Sequence, residues 1–190
     1  GGMSAGWTTL EANLRSVLHA VAFAFLCAGA GLARADDIAP ASPAAMRAKY
    51  VSLKDQLGNN QFERPLYLDS RETPGEVTGE IYAVIDAPFE LTGAALNAPG
   101  DWCDILTLHI NTKNCRVASN AAATVISMWI GSKHEEPLSD SFRVDLAYRV
   151  RVRAANYLRV GLSADAGPMG TRDYRIGFEA IPLDRGQTFI

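Results

Sequence analysis

The sequence has 190 residues, with 18 Lys and Arg, 21 Asp and Glu, a formal net charge of −3, three Cys and 48% hydrophobic residues. The acidic balance argues against a nucleic-acid binder, which gathers a basic surplus on one face. Apolar residues near half of the chain exclude a largely disordered protein, and the length suits one domain behind a leader.

Val17 to Leu32 (VLHAVAFAFLCAGAGL) form an apolar run of sixteen residues, broken only by His19. Arg15 precedes it, and Ala33-Arg34-Ala35 follows before Asp36-Asp37. A positive flank, a short apolar core and an A-x-A site are the parts of a secretory signal peptide, whereas a spanning helix needs about 20 apolar residues. Residues 1–35 are therefore expected to be a signal peptide, with an uncleaved anchor as the alternative, and the protein to be secreted into a bacterial periplasm. Without Arg15, Arg34 and Glu11, the 18 basic and 21 acidic residues become 16 and 20, a net of −4 over 155 residues.

Asp37 to Pro43 reads as a linker, and residues 36–74 form an N-terminal helix and linker ahead of a domain at 75–190. Met46, Tyr50, Leu53 and Leu57 recur at three- and four-residue steps, which predicts an amphipathic helix over Ala44–Leu57 ended by Gly58-Asn59-Asn60. Pro65 to Leu68 is a short extended piece, and Thr73-Pro74-Gly75 a turn. Glu76 to Asp86 (EVTGEIYAVID) is a strand with Val77, Gly79, Ile81, Ala83 and Ile85 on one face, Tyr82 and Val84 on the other, so it is expected to be covered on part of both sides. Asp86-Ala87-Pro88 signals a helix start, with Phe89–Leu96 as a short helix. Pro99-Gly100-Asp101 breaks it, and a second short helix begins at Trp102 with Asp101 as its cap.

Strands follow over Ala123–Gly131, Phe142–Val152, Tyr157–Ala164, Thr171–Ile181 and Gln187–Ile190, with polar turns between them. In Phe142–Val152, Phe142, Val144, Leu146, Tyr148, Val150 and Val152 face one way, and Arg143, Arg149 and Arg151 the other. Leu158, Val160, Leu162, Tyr174, Ile176 and Phe178 continue the inward face, and each of these hairpin-linked strands is expected to have one buried and one wet face. Thr188-Phe189-Ile190, without a polar terminus, reads as an interrupted strand.

Cys103 and Cys115, twelve residues apart, are most simply a disulfide in an oxidising compartment, with two buried free thiols as the alternative. No metal site is expected, because His109 is the sole nearby ligand type and structural zinc takes four.

A strand, two short helices and a meander of antiparallel strands predict an α+β fold, a sheet curved by its own twist. Ile81-Tyr82-Ala83-Val84-Ile85-Asp86-Ala87-Pro88-Phe89-Glu90, Ala94-Ala95-Leu96 and Trp102 carry a resemblance. Over Gly75–Ile190 the chain resembles the START-like, or helix-grip, superfamily of lipid-transfer and polyketide-cyclase-like domains. The resemblance implies a curved antiparallel sheet with two short helices after its first strand, around a cavity for an apolar molecule. It also implies a long C-terminal helix gripping the sheet, which is missing here. The segment from Trp102 to Cys115 departs from the general pattern.

No nucleophile elbow, phosphate loop, H-x-x-E or C-x-x-C occurs, so no catalytic residue is assigned. The function expected is a binder or carrier of an apolar, lipid-like molecule, without cofactor or nucleic acid. Trp102, His109, Leu146, Tyr148, Val160, Tyr174 and Phe178 are the candidate ligand contacts. The alternative is a cyclase- or hydrolase-type enzyme using His109 at the cavity mouth with Asp104 or Asn111. Trp129 and Met128 point to opposite faces, so at most one lines a cavity. Arg143, Arg149, Arg151 and Arg153, taken as one face, are either solvated with cross-strand carboxylates or a patch for peripheral contact with an anionic membrane or a partner protein.

Overall fold

The computed structural model describes residues 42–190. The leader expected over residues 1–35 lies outside the described residues. The Ser42 side chain accepts from the Ala45 amide (3.1 Å) and Pro43 fills the first turn, so two local signals start helix α1, Pro43–Gly58. Its apolar stripe is what it buries: Met46, Leu53 and Leu57, with Tyr50 half-buried beside them.

Strand β1 (Leu66–Thr73) and β2 (Glu76–Ile85) form a hairpin whose turn places Gly75 at φ 91°, a conformation open to glycine. β1 is a full strand, not the short piece expected at Pro65–Leu68. Most of it is exposed at a sheet edge, so it carries no buried alternation to announce it.

Helix α2 spans Phe89–Asn97 and α3 Pro99–Leu106. Asp86 does not cap α2; its Oδ1 accepts instead from Gln187 Nε2 (3.4 Å). Pro99 opens α3 rather than merely breaking the chain, since a first-turn proline has no amide to leave unpaired. Asp101 therefore sits inside the first turn, where its charge suits the helix dipole, and Ala98 holds the cap position.

The remaining strands are β3 (Thr112–Ser119), β4 (Thr124–Ile130), β5 (Phe142–Ala154), β6 (Tyr157–Ala166), β7 (Arg172–Leu183) and β8 (Gln187–Phe189). With β1 and β2 they make one antiparallel sheet in the order β1-β2-β8-β7-β6-β5-β4-β3. β2 thus lies beside the last strand, and β3 to β8 follow as a meander.

Both faces of the sheet carry a core. On the inner face, Ile126, Met128, Val144, Leu146, Leu158, Val160 and Leu162 pack beneath Phe89, Leu96 and Trp102 of α2 and α3. On the outer face, Tyr82, Tyr157, Ile181 and Phe189 pack beneath Met46, Leu53 and Leu57 of α1. This corrects the expectation of one buried and one wet face. The opposite phase of four strands also carries large apolar side chains, and α1 covers them.

A second correction concerns β5. Val150 pairs with Val160 but Val152 pairs with Arg159, leaving Arg151 as an extra residue, a β-bulge. Cross-strand partners share a face, so Arg153, opposite Leu158, stands on the inner face, while Arg149, opposite Gly161, stands on the outer one. The four arginines do not share a face.

Candidate functional site

The bulge brings Arg153 to a cleft of ≈230 Å³ between α2 and the β5–β6 turn. Phe89, Gly93, Ala94, Ala154, Ala155 and Leu158 supply an apolar lining; Glu90 and Arg153 are its charged residues. Phe89 and Leu158, both buried, anchor the floor to the inner core. Gly93, one helical turn after Phe89, lies against that ring, and Ala94 follows Glu90 at the same spacing, so small side chains leave the space open. Arg153 makes no ion pair or hydrogen bond with any described residue.

Six of the seven expected ligand contacts are brought together in or against the inner core: Trp102, Leu146, Tyr148 and Val160 within it, Tyr174 and Phe178 packed on it. Two have a definite structural task. The Trp102 indole N–H donates to Leu96 O and the Tyr148 hydroxyl to Asn97 O, both at 2.8 Å. These are the last carbonyls of α2, which no intrahelical amide can reach. Burial raises the Tyr148 hydroxyl above its ordinary pKa, so it remains a donor. Trp102 also meets Phe178 edge-on, ring centroids 5.7 Å apart. The Tyr174 hydroxyl pairs with Thr171 Oγ1 (2.6 Å), and its ring lies so close to Gly167 that a Cβ there would collide with it.

His109 stands apart from those six, exposed in the α3–β3 loop, where its Nδ1 accepts from the Asn111 amide (3.2 Å). The loop is closed by a disulfide between Cys103 and Cys115, Cα atoms 5.3 Å apart, which ties α3 to the edge strand β3.

On the outer face, Trp129 lies between the guanidinium groups of Arg116 (5.6 Å) and Arg143 (5.3 Å). Arg143 also pairs with Asp145 (2.8 Å). Burial works against the Asp145 charge, but hydrogen bonds from Ser127 and Arg143 outweigh it and hold the carboxyl below its ordinary pKa. Met128 is buried on the inner face.

The cleft was missed because the alternation of β5 reads unbroken through Val150 and Val152, hiding the bulge. The available signal was the pairing of Gly93 and Ala94 on α2, small residues one turn beyond Phe89 and Glu90.

No group of three or more His, Cys, Asp or Glu among the described residues is placed to hold a metal ion. No helix among them is long and apolar enough to cross a membrane. The described chain is an α+β protein with an eight-stranded antiparallel sheet, three helices and one disulfide. Comparison with known protein families, with characterised proteins and with solved structures finds no match.

Proposed function

We propose that this is an exported binder or carrier of a small apolar molecule with an anionic head, held in the cleft between α2 and the β5–β6 turn. The observation that carries the reading is an apolar floor beside an arginine without an ion-pair or hydrogen-bond partner among the described residues. A guanidinium in that setting suits a carboxylate. At ≈230 Å³ the cleft is smaller than the roughly 300 Å³ at which drug-sized pockets begin, so a short acyl chain or a single ring fits better than a whole lipid.

Export is supported by the leader pattern and by the disulfide. The START-like resemblance is supported by the element order β2, α2, α3 and a meander from β3 to β8; α1 and β1 are additions to it.

Calorimetric titration with decanoate and decanol tests the reading. Decanoate should bind more tightly than decanol by about fivefold, the scale of an exposed charge-assisted contact. Glu90→Gln should strengthen decanoate binding by removing a like charge from the cleft. Equal affinities for acid and alcohol would refute the anionic head, and binding of neither would refute the site.

A further inference from the structure

Gly161 lies at the centre of an arginine-rich patch on the outer face of the sheet. Arg149 is its partner on β5 and Gly177 its partner on β7, while Arg175 stands opposite Ser163 and Arg159 opposite Glu179. The bulge residue Arg151 lies over Gly161 itself: its Nε stands 3.4 Å from where a Cβ on that glycine would sit. Arg149, Arg151, Arg159 and Arg175 thus surround one position, and Ala147, Ser163 and Gly177 fill little of the space between them. Helix α1 packs on Tyr157, Ile181 and Phe189, further along the same face, and Gly177 is exposed.

The charges in this patch do not balance. Glu179 is the carboxylate inside the group, and it is buried and engaged by Arg159 and Tyr157. Asp165 lies two residues beyond Ser163, and Asp145, two before Ala147, is held by Arg143 and Ser127. With Asp165 counted beside Glu179, four arginines still face two carboxylates. Arg149 makes no ion pair or hydrogen bond with any described residue. Arg175 has no ion pair among them and donates to the Tyr174 carbonyl (2.8 Å).

Like charges at neighbouring positions of a sheet repel, and a bound anion relieves that repulsion. The guanidinium groups come from three strands, β5, β6 and β7, so they approach a ligand from several sides. A flat carboxylate satisfies one such fork. A phosphate, with a second charge and oxygens directed tetrahedrally, accepts from several at once.

We infer that the outer face around Gly161 is a binding site for a phosphomonoester group, with Arg149, Arg151 and Arg175 as its donors and Arg159 retained by Glu179. A soluble phosphate ester and the headgroup of phosphatidic acid offer the same chemistry, and the test separates them. The site lies on the opposite face of the sheet from the cleft and is independent of it.

The test is calorimetric titration of the full chain with glycerol phosphate, above the second phosphate pKa of about 6, and with acetate at matched ionic strength. A second arm is flotation with phosphatidylcholine vesicles, with and without phosphatidic acid. Glycerol phosphate should bind saturably and at least about fivefold more tightly than acetate. Arg149→Met and Arg175→Met should each weaken it about fivefold, the scale of a hydrogen bond to a charged group. Arg116→Met, which removes an equal charge from the edge strand β3 on the same face, should change it less than about twofold. The urea midpoint of unliganded Arg149→Met should stay in place, which separates lost binding from lost folding. Flotation only with phosphatidic acid assigns the group to a lipid, and soluble binding alone assigns it to a free ester; either result, or both, supports the site. Binding in neither arm, acetate binding as tightly as glycerol phosphate, or an equal loss in Arg116→Met would overturn it.

Discussion

Arg153 and Leu158 are direct cross-strand partners on one face of the sheet, and the extra residue Arg151 puts them there. Arg149, four positions earlier, pairs with Gly161 on the opposite face. Two arginines that look equivalent in sequence thus meet different surroundings: an apolar cleft for one, the outer face of the sheet for the other.

Substitution separates them. Arg153→Met should weaken decanoate binding about fivefold, and Arg149→Met should leave it unchanged. Both side chains are exposed, so neither variant should move the midpoint of urea unfolding appreciably. Titration of the two variants side by side checks this, and an equal loss in both would mean a general charge effect.

The end of α2 gives a stability prediction. Trp102→Phe keeps an aromatic ring against Phe178 but leaves the Leu96 carbonyl unpaired, and Tyr148→Phe does the same to Asn97 O. Each should cost about 1–3 kcal/mol, the desolvation penalty of a buried acceptor left without a donor. Urea denaturation measures both. If these aromatics served only to fill volume, Tyr148→Phe would be neutral.

The Cys103–Cys115 bridge closes a short loop, and the double variant Cys103→Ser, Cys115→Ser should lose roughly 3 kcal/mol. Peptide mapping after alkylation without reduction should find neither cysteine modified. Modification of both would mean that the thiols are free.

On the outer face, Arg159 Nε lies 3.6 Å from Glu179 Oε1, with side chains only 16% and 9% exposed. Glu179 Oε2 and the Tyr157 hydroxyl are both buried, and the two side chains interact. Burial raises the Glu179 carboxyl above its ordinary pKa, with the Tyr157 hydroxyl and then Arg159 pulling it back. A carboxyl raised in the fold stabilises below its unfolded pKa, and that contribution is lost as pH rises through the folded value. Arg159→Met should therefore cost about 3 kcal/mol at neutral pH, where it strands a buried charge. The cost should shrink in acid as Glu179 takes a proton. Urea unfolding at neutral pH and in the acid carboxylate range measures it, and a penalty independent of pH would contradict the account.

What could be read in advance follows burial. β5, β6 and β7 alternate because α2 and α3 bury one of their faces, and α1 announces itself through Met46, Leu53 and Leu57. β1 was legible only as the short piece at Pro65–Leu68, and β3 not at all, for the converse reason: both are edge strands with mostly exposed or half-buried side chains, including polar Asp69, Arg71, Lys113 and Arg116. The cover on the outer face was hidden because Tyr157, Ile181 and Phe189 fall between the inward-facing positions and read as exceptions to them. Six expected contact residues do gather, but Trp102 and Tyr148 bond to the end of a helix, and the cleft lies at the neighbouring bulge. Such a bulge depends on which residue the partner strand opposes, information that resides in two distant segments at once.

The central claim is that the cleft beside Arg153 takes an apolar molecule by its anionic end. Chemical-shift mapping with decanoate tests it most directly. The account predicts saturable shifts at Phe89, Glu90, Gly93, Ala94, Arg153 and Leu158, with the Arg149 and Trp129 signals still. Shifts that never saturate, or that gather around Trp129 and Arg143 on the outer face instead, would contradict it.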